Sequence, residues 1–206
     1  STIEDHQSII YRHKASDLFL NKSDIENSNI QEYECILITG TSLAADPSRS
    51  SVLYALELAK EKNIPVIMDI DYRPYTWESA DKAKQIYNLA CGYCAGIIGN
   101  DDEFAVLSGN YDDGLNYAKK LSTNCDLVIY KMGEKGSITF ANNEEITRGI
   151  FPVKPLKPTG AGDAFMGSLI GALLKNYDLQ KAIEISSAAA AIVVTKVGCA
   201  PAMPDL

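Results

Sequence analysis

Basic residues are in short supply: 19 Lys and Arg stand against 27 Asp and Glu, a formal net charge of -8. No cluster of Lys or Arg offsets that balance, which argues against a nucleic-acid or anionic-membrane surface and leaves any anionic ligand to be held by local geometry. Long apolar stretches are also missing. The longest small or apolar run near the C-terminus, 188–194, falls far short of the roughly 20 residues that span a bilayer. The opening Ser1-Thr2-Ile3-Glu4-Asp5 has neither a basic start nor an apolar stretch suited to secretion, so the expected location is cytoplasmic. Histidine is confined to His6 and His13, and the five cysteines (Cys35, Cys91, Cys94, Cys125 and Cys199) are odd in number and scattered. Such a set is no disulfide framework, and Cys91-x-x-Cys94 lacks the further ligands of a structural zinc site. There is no GxxxxGK[ST] string, and Gly40 has no companion glycines to make GxGxxG, which weakens P-loop and dinucleotide-fold readings.

What is present is an alternation. Residues 21–34 are polar and rich in Asn, Asp and Glu, and separate an N-terminal piece from the rest. Short apolar runs at 35–39, 65–69, 95–98 and 126–131 then alternate with helical periodicity at 50–62, 78–91, from 101 and at 112–122. This rhythm predicts an α/β domain with a parallel sheet covered on both faces. Residues 133–136 read as a turn into a strand at 137–140, and Asn142-Asn143 as a second turn before a strand at 146–153, so antiparallel edge strands are expected. Two helices follow, 161–175 and 179–196, the second capped by Asp178. In open parallel sheets ligands bind beyond the carboxyl ends of the strands, which directs attention to the segments after Asp69, Ile98, Lys131 and Val153.

The sharpest local feature is Lys157-Pro158-Thr159-Gly160-Ala161-Gly162-Asp163-Ala164-Phe165, two glycines and an acid at the mouth of an apolar helix. Open helix-start amides and the positive end of the dipole favour phosphate. Asp163 has two readings there, a helix cap or a general base that accepts the proton of an attacking hydroxyl during phosphoryl transfer. Asn100 with Glu103 reads as a capping pair for the helix that begins near 101, and Gly133 with Gly136 as a plain hairpin turn. Arg12 and Arg73 taken alone read as solvated cations, and Trp77 as core.

GAGDAF at 160–165 resembles the signature of PfkB-type, ribokinase-like kinases, in which the aspartate is the general base and the glycine-rich amides form an anion hole. Asn100-Asp101-Asp102-Glu103 is similar to that family's NxxE motif, which organises Mg²⁺ and the nucleotide phosphates largely through water. The segment from Lys131 to Gly136 resembles its GxxG loop, and that from Gly198 to Pro204 its C-terminal stretch by the adenine. The four occur in family order, and the resemblance covers 35–204.

By that resemblance the fold is a three-layer αβα sandwich with a mostly parallel central sheet, and the cofactors are ATP and Mg²⁺. The site would comprise Asp163, Gly160, Ala161 and Gly162 for catalysis, Asn100 and Glu103 for metal, and Lys131, Gly133, Gly136 and Gly198 for nucleotide. The stretch from Asp69 to Trp77 is similar to the DxNxRxxxW of kinases acting on keto-deoxy sugar acids, with Asp71 in place of Asn, and closest to the 5-dehydro-2-deoxygluconokinase group of inositol catabolism. Tyr11-Arg12, the Gly40-Thr41-Ser42-Leu43 turn and Lys157-Pro158 fit the same group, in which Arg12 would bind a substrate carboxylate and Arg73 would reach toward the transferred phosphate.

The resemblance has no counterpart to the family's N-terminal region. Residues 1–34 therefore read as a remnant of the substrate and lid region, 35–206 as the nucleotide-binding and catalytic domain, and the exposed sheet edge as a place for pairing with another copy or fragment. The resemblance implies transfer of phosphate from ATP to a small-molecule sugar or sugar acid, with no nucleic-acid or membrane partner. Alternatives are another acceptor, such as 2-keto-3-deoxygluconate, fructose or a nucleoside, and a nucleotide-binding module without turnover.

Overall fold

Short β-branched runs separated by amphipathic stretches can bury both faces only by crossing over helices, and a computed structural model, which describes residues 14–204, shows that arrangement. Strands β1 (Ile36–Thr39), β2 (Val66–Asp69), β3 (Gly96–Asn100) and β4 (Leu127–Lys131) lie side by side in chain order and run parallel. The crossovers carry α2 (Ser48–Glu61), α3 (Ala80–Cys91) and the pair α4 (Asp101–Ser108) and α5 (Gly114–Leu121). Only the tight turn Gly133–Lys135 separates β4 from β5 (Ser137–Ala141), too short for a crossover, so β5 pairs antiparallel with β4. β6 (Glu144–Arg148) follows Asn142 and Asn143, which both take left-handed φ values, 52° and 62°, as a two-residue hairpin turn requires.

One expectation needs correction. The final strand ends at Arg148 rather than continuing to residue 153, because Gly149 and then Pro152 follow and proline cannot donate to a ladder. Within the polar stretch after residue 20, α1 (Lys22–Asn27) forms with a capping box, the Asn21 amide donating to Asp24 Oδ2 at 2.9 Å and the Ser23 amide to Asn21 Oδ1 at 3.0 Å. The Asn-x-x-Asp spacing carried that signal.

The chain divides into two compact units, which among the described residues are 14–133 with 137–145, and 134–136 with 146–204. In the first, Leu43, Leu56, Met68, Ile70, Ile97, Phe104 and Leu107 are fully buried between the sheet and its helices, each contributing about 1.5–3 kcal/mol. In the second, α6 (Ala161–Leu174) and α7 (Leu179–Val194) pack through small residues, with Ala164, Ala189 and Val193 meeting Ala202 of the C-terminal turn. No helix among the described residues is long and apolar enough to cross a membrane.

Tyr87 is the largest fully buried side chain, set edge-on to Trp77 with ring centroids 4.9 Å apart. Burial pushes the Tyr87 phenol well above its ordinary pKa. Trp77 lies close enough to favour the ionised form slightly, yet neither Tyr87 Oη nor Trp77 Nε1 makes a hydrogen bond of proper geometry among the described residues. Removing a buried hydroxyl that has no partner costs little. Tyr87→Phe is therefore expected to leave the thermal unfolding midpoint unchanged or raise it by about 2 °C, and a fall in the melting curve would reveal a hydrogen bond at that hydroxyl.

Candidate functional site

In the first unit the strand register brings polar strand ends level. Thr39 pairs with Asp69, Asp69 with Ile98, and Asn100 with Lys131, so Thr39, Asp69, Asn100 and Lys131 sit at the carboxyl ends of adjacent parallel strands. There β3 passes directly into α4, whose N-cap is Asn100. Its Oδ1 accepts from the Glu103 amide at 2.9 Å while Glu103 Oε2 accepts from the Asn100 amide at 2.7 Å. The capping reading of this pair is thus realised, and it employs one oxygen of each side chain. The second oxygen of Glu103 carries no hydrogen bond among the described residues.

Glu103 is only 6% exposed. Burial pushes its carboxyl above the ordinary pKa, against the opposing pull of Lys131 and of the Asn100 amide, and Asp69 and Asp71 push it further in the same direction. The strand must come close for this: a Cβ on Gly99 would stand 2.5 Å from Ile70 Cδ1 and 3.1 Å from Glu103 Oε2. Sequence reasoning named Asn100, Glu103 and Lys131 but assigned no charge effect to Asp69 and Asp71. Their Asp-x-Asp spacing at a strand end was the available signal.

Arg73 is not a loose surface cation. Its Nη2 lies 2.7 Å from Asp71 Oδ1, and Nη1 donates a long bond to the Tyr72 carbonyl at 3.4 Å. Asp71 takes a left-handed φ of 37°, and its Oδ2 accepts from Thr41 Oγ1 at 3.1 Å. Arg12 lies outside the described residues. Trp77 is core, as its sequence context suggested.

In the second unit the glycine-rich turn opens α6. Gly160, at φ 92°, is the N-cap, a backbone state that favours glycine. Ala161 donates to the Pro158 carbonyl at 3.3 Å and Ala164 to the Gly160 carbonyl at 3.0 Å, while the amides of Gly162 and Asp163 find no acceptor among the described residues. The Asp163 carboxylate is exposed in this first turn and makes no hydrogen bond or ion pair with them. The capping reading of Asp163 is therefore not realised, since Gly160 occupies the cap and the carboxylate bonds no backbone group among the described residues.

The loop before this turn is tied to α7 through the Leu156 and Lys157 amides, both of which reach the Val194 carbonyl. Lys157 Nζ spans the turn to the Thr159 carbonyl at 2.7 Å and lies 3.6 Å from Cys199 Sγ. Lys157 thus braces the glycine turn, a role its sequence position did not disclose. Gly198 at φ 91° starts the C-terminal turn, where Ala202 donates to the Cys199 carbonyl. Gly136 at φ 87° could accept no side chain, because a Cβ would collide with the Arg148 carbonyl, whereas Gly133 at φ 56° has open space around it.

All five cysteines are free thiols. Burial raises the pKa of Cys91, Cys94 and Cys125, Cys94 to about 12, so the Cys-x-x-Cys pair is chemically quiet. No group of three or more His, Cys, Asp or Glu among the described residues is arranged to hold a metal directly.

A family-wide sequence profile described as pfkB family carbohydrate kinase matches residues 1–206. The 5-dehydro-2-deoxygluconokinase of Geobacillus thermodenitrificans is 38% identical over 207 residues, covering 98% of this chain and 61% of that protein. The protein of the same name from Photobacterium profundum is 39% identical over 202 residues, covering 95% and 61%. Among solved structures, fructokinase from Vibrio cholerae O395 in its fructose, ADP and calcium ion bound form superposes with a TM-score of 0.83 at 28% identity, over 92% of this chain and 63% of that one. Aminoimidazole riboside kinase from Salmonella enterica, complexed with aminoimidazole riboside and an ATP analog, gives 0.75 at 27% identity, over 84% and 60%. The chain spans about three fifths of the length of these relatives.

Proposed function

Because the chain belongs to the pfkB family of carbohydrate kinases, we propose that the complete protein transfers the γ-phosphate of ATP to a hydroxyl of a keto-deoxy sugar acid, with 5-dehydro-2-deoxygluconate the best-fitting acceptor. The observation that carries this reading is the exposed Asp163 carboxylate, without a partner among the described residues, beside the amides of Gly162 and Asp163, which find no acceptor among them, at the start of α6. A general base must have a free oxygen for the acceptor hydroxyl, and an anion hole must have donors not already used. Asp163 is the base in this reading. Gly160, Ala161 and Gly162 shape the turn that receives the transferring phosphoryl group.

Hard oxygen donors suit Mg²⁺. Glu103, whose ionised form is disfavoured by burial and further by the nearby Asp69 and Asp71, is a group whose charge a cation would stabilise, and with Asn100 it would hold the ion through water. Bound Mg²⁺ supplies charge neutralisation on the phosphate oxygens. Lys131, Gly133, Gly136 and Gly198 serve the nucleotide, Arg73 the charge on the phosphoryl oxygens, and Arg12 the acceptor carboxylate. The relatives named 5-dehydro-2-deoxygluconokinase and the Asp69-x-Asp71-x-Arg73 stretch support a sugar-acid acceptor over a neutral sugar.

The test is an acceptor panel with the full-length protein, ATP and Mg²⁺, reading phosphorylated product by phosphorus NMR. The 5-dehydro-2-deoxygluconate reaction is expected to have the highest kcat/KM, ahead of 2-keto-3-deoxygluconate, fructose and nucleosides. A clear preference for fructose or a nucleoside would remove the carboxylate role of Arg12, and nucleotide binding without any product would remove the kinase reading.

A further inference from the structure

From the contacts around Arg73 we infer that Asp71 is a positioning residue, holding that guanidinium ready for the phosphoryl group; the inference rests on the kinase reading above and names how its arginine is aimed. Arg73 follows β2 in an irregular stretch, and such a long side chain loses considerable rotamer freedom when it must meet a ligand in one geometry. A carboxylate at 2.7 Å imposes that restriction in advance. Asp71 can do so because it is itself held on both sides: its backbone is in the left-handed region and its second oxygen accepts from Thr41 Oγ1. Thr41 is 8% exposed, on the turn that follows β1, and its hydroxyl also lies 3.2 Å from Thr39 Oγ1.

Both Asp71 oxygens are therefore engaged, which suits an orienting group better than a metal ligand or a base. Arg73 keeps donors to spare. A guanidinium carries five N–H groups, and the structure uses Nη2 toward Asp71 and Nη1, weakly, toward the Tyr72 carbonyl. The remaining donors can meet phosphoryl oxygens in the planar geometry that arginine offers. An Asn at position 71, the residue of the broader motif, would preserve the shape and the Thr41 bond but not the charge-assisted contact.

The experiment is a double-mutant cycle in the full-length protein. Asp71→Asn is expected to lower kcat about tenfold, with KM for ATP unchanged within about twofold and the melting temperature retained. Arg73→Met is expected to cost more, and adding Asp71→Asn to Arg73→Met should cost nothing further. Independent, additive losses would overturn the inference, as would an Asp71→Asn enzyme with wild-type kcat. A second readout does not depend on turnover: modification of Arg73 by phenylglyoxal, followed by peptide mass spectrometry, should be several-fold faster in Asp71→Asn than in the parent. Equal rates would show that Asp71 does not hold the guanidinium. Should the parent protein phosphorylate no acceptor, the kinase reading falls while the modification rates still decide whether Asp71 holds Arg73.

Discussion

Asp163→Asn in the complete protein is expected to lower kcat by about 10³-fold or more while leaving nucleotide affinity within about threefold. Asparagine matches aspartate in size, and because the native carboxylate bonds no neighbour among the described residues, the substitution breaks no hydrogen bond or ion pair there. Gly160 remains the cap of α6, and the Ala164 bond to its carbonyl is unaffected. On the proposed reading, what is lost is the ability to accept a proton from the acceptor hydroxyl. Steady-state turnover and a titration with a non-hydrolysable ATP analogue separate these effects. A variant that retained a tenth of the parental kcat would exclude Asp163 as the base, and one that lost nucleotide affinity as well would point to a structural role for the turn.

Glu103→Gln is expected to separate stability from activity. The amide oxygen of glutamine can still accept from the Asn100 amide, so the capping arrangement survives. The charge that burial disfavours is gone. Because the folded-state pKa of Glu103 is raised, the folded protein binds the proton more tightly than the unfolded chain does. Its stabilising contribution is then full below the ordinary carboxylate pKa and is lost as pH rises toward the folded-state value. The variant lacks that loss. Its melting temperature should match the parent at acidic pH and exceed it at neutral and alkaline pH. Turnover should nevertheless fall by about 10²-fold, with a higher Mg²⁺ requirement, since a neutral amide holds a hydrated cation poorly. Thermal melts across a pH series and kcat against Mg²⁺ concentration check both halves. A variant less stable than the parent at neutral pH would show that the carboxylate charge supports the fold.

Much of the architecture was legible because its causes are local. Four short apolar runs separated by helix-length periodic segments admit few arrangements other than a parallel sheet with crossovers, and the turn between Lys131 and Ser137 is too short for a crossover helix. The end of β6 was misjudged because Ile146 and Thr147 continue into the apolar Ile150, Phe151 and Val153, and that composition obscured the effect of Pro152 on the ladder. The helix α1 escaped because its residues are polar throughout and its capping box spans only Asn21 to Asp24.

The candidate residues divide in the same way. Gly160, Asp163, Asn100 and Glu103 could be named from sequence because helix starts and capping spacings are written over three or four adjacent positions. The state of those residues could not. Whether Asp163 caps its helix or stands free, and how far burial shifts Glu103, depend on neighbours from other elements, namely Lys131, Asp69 and Asp71 around Glu103. The Asp71 grip on Arg73 depends on Thr41, thirty positions earlier, which reaches Asp71 because β1 and β2 pair in parallel with Thr39 opposite Asp69.

The sequence by itself thus determined the alternation of strands and helices from residue 35 onward, the family and the residue types offered for chemistry, since these follow from periodicity and short motifs. Tertiary structure alone decided which carboxylates are engaged and which are free. Hydrogen bonding and desolvation act over a few ångströms in space, whatever the separation along the chain.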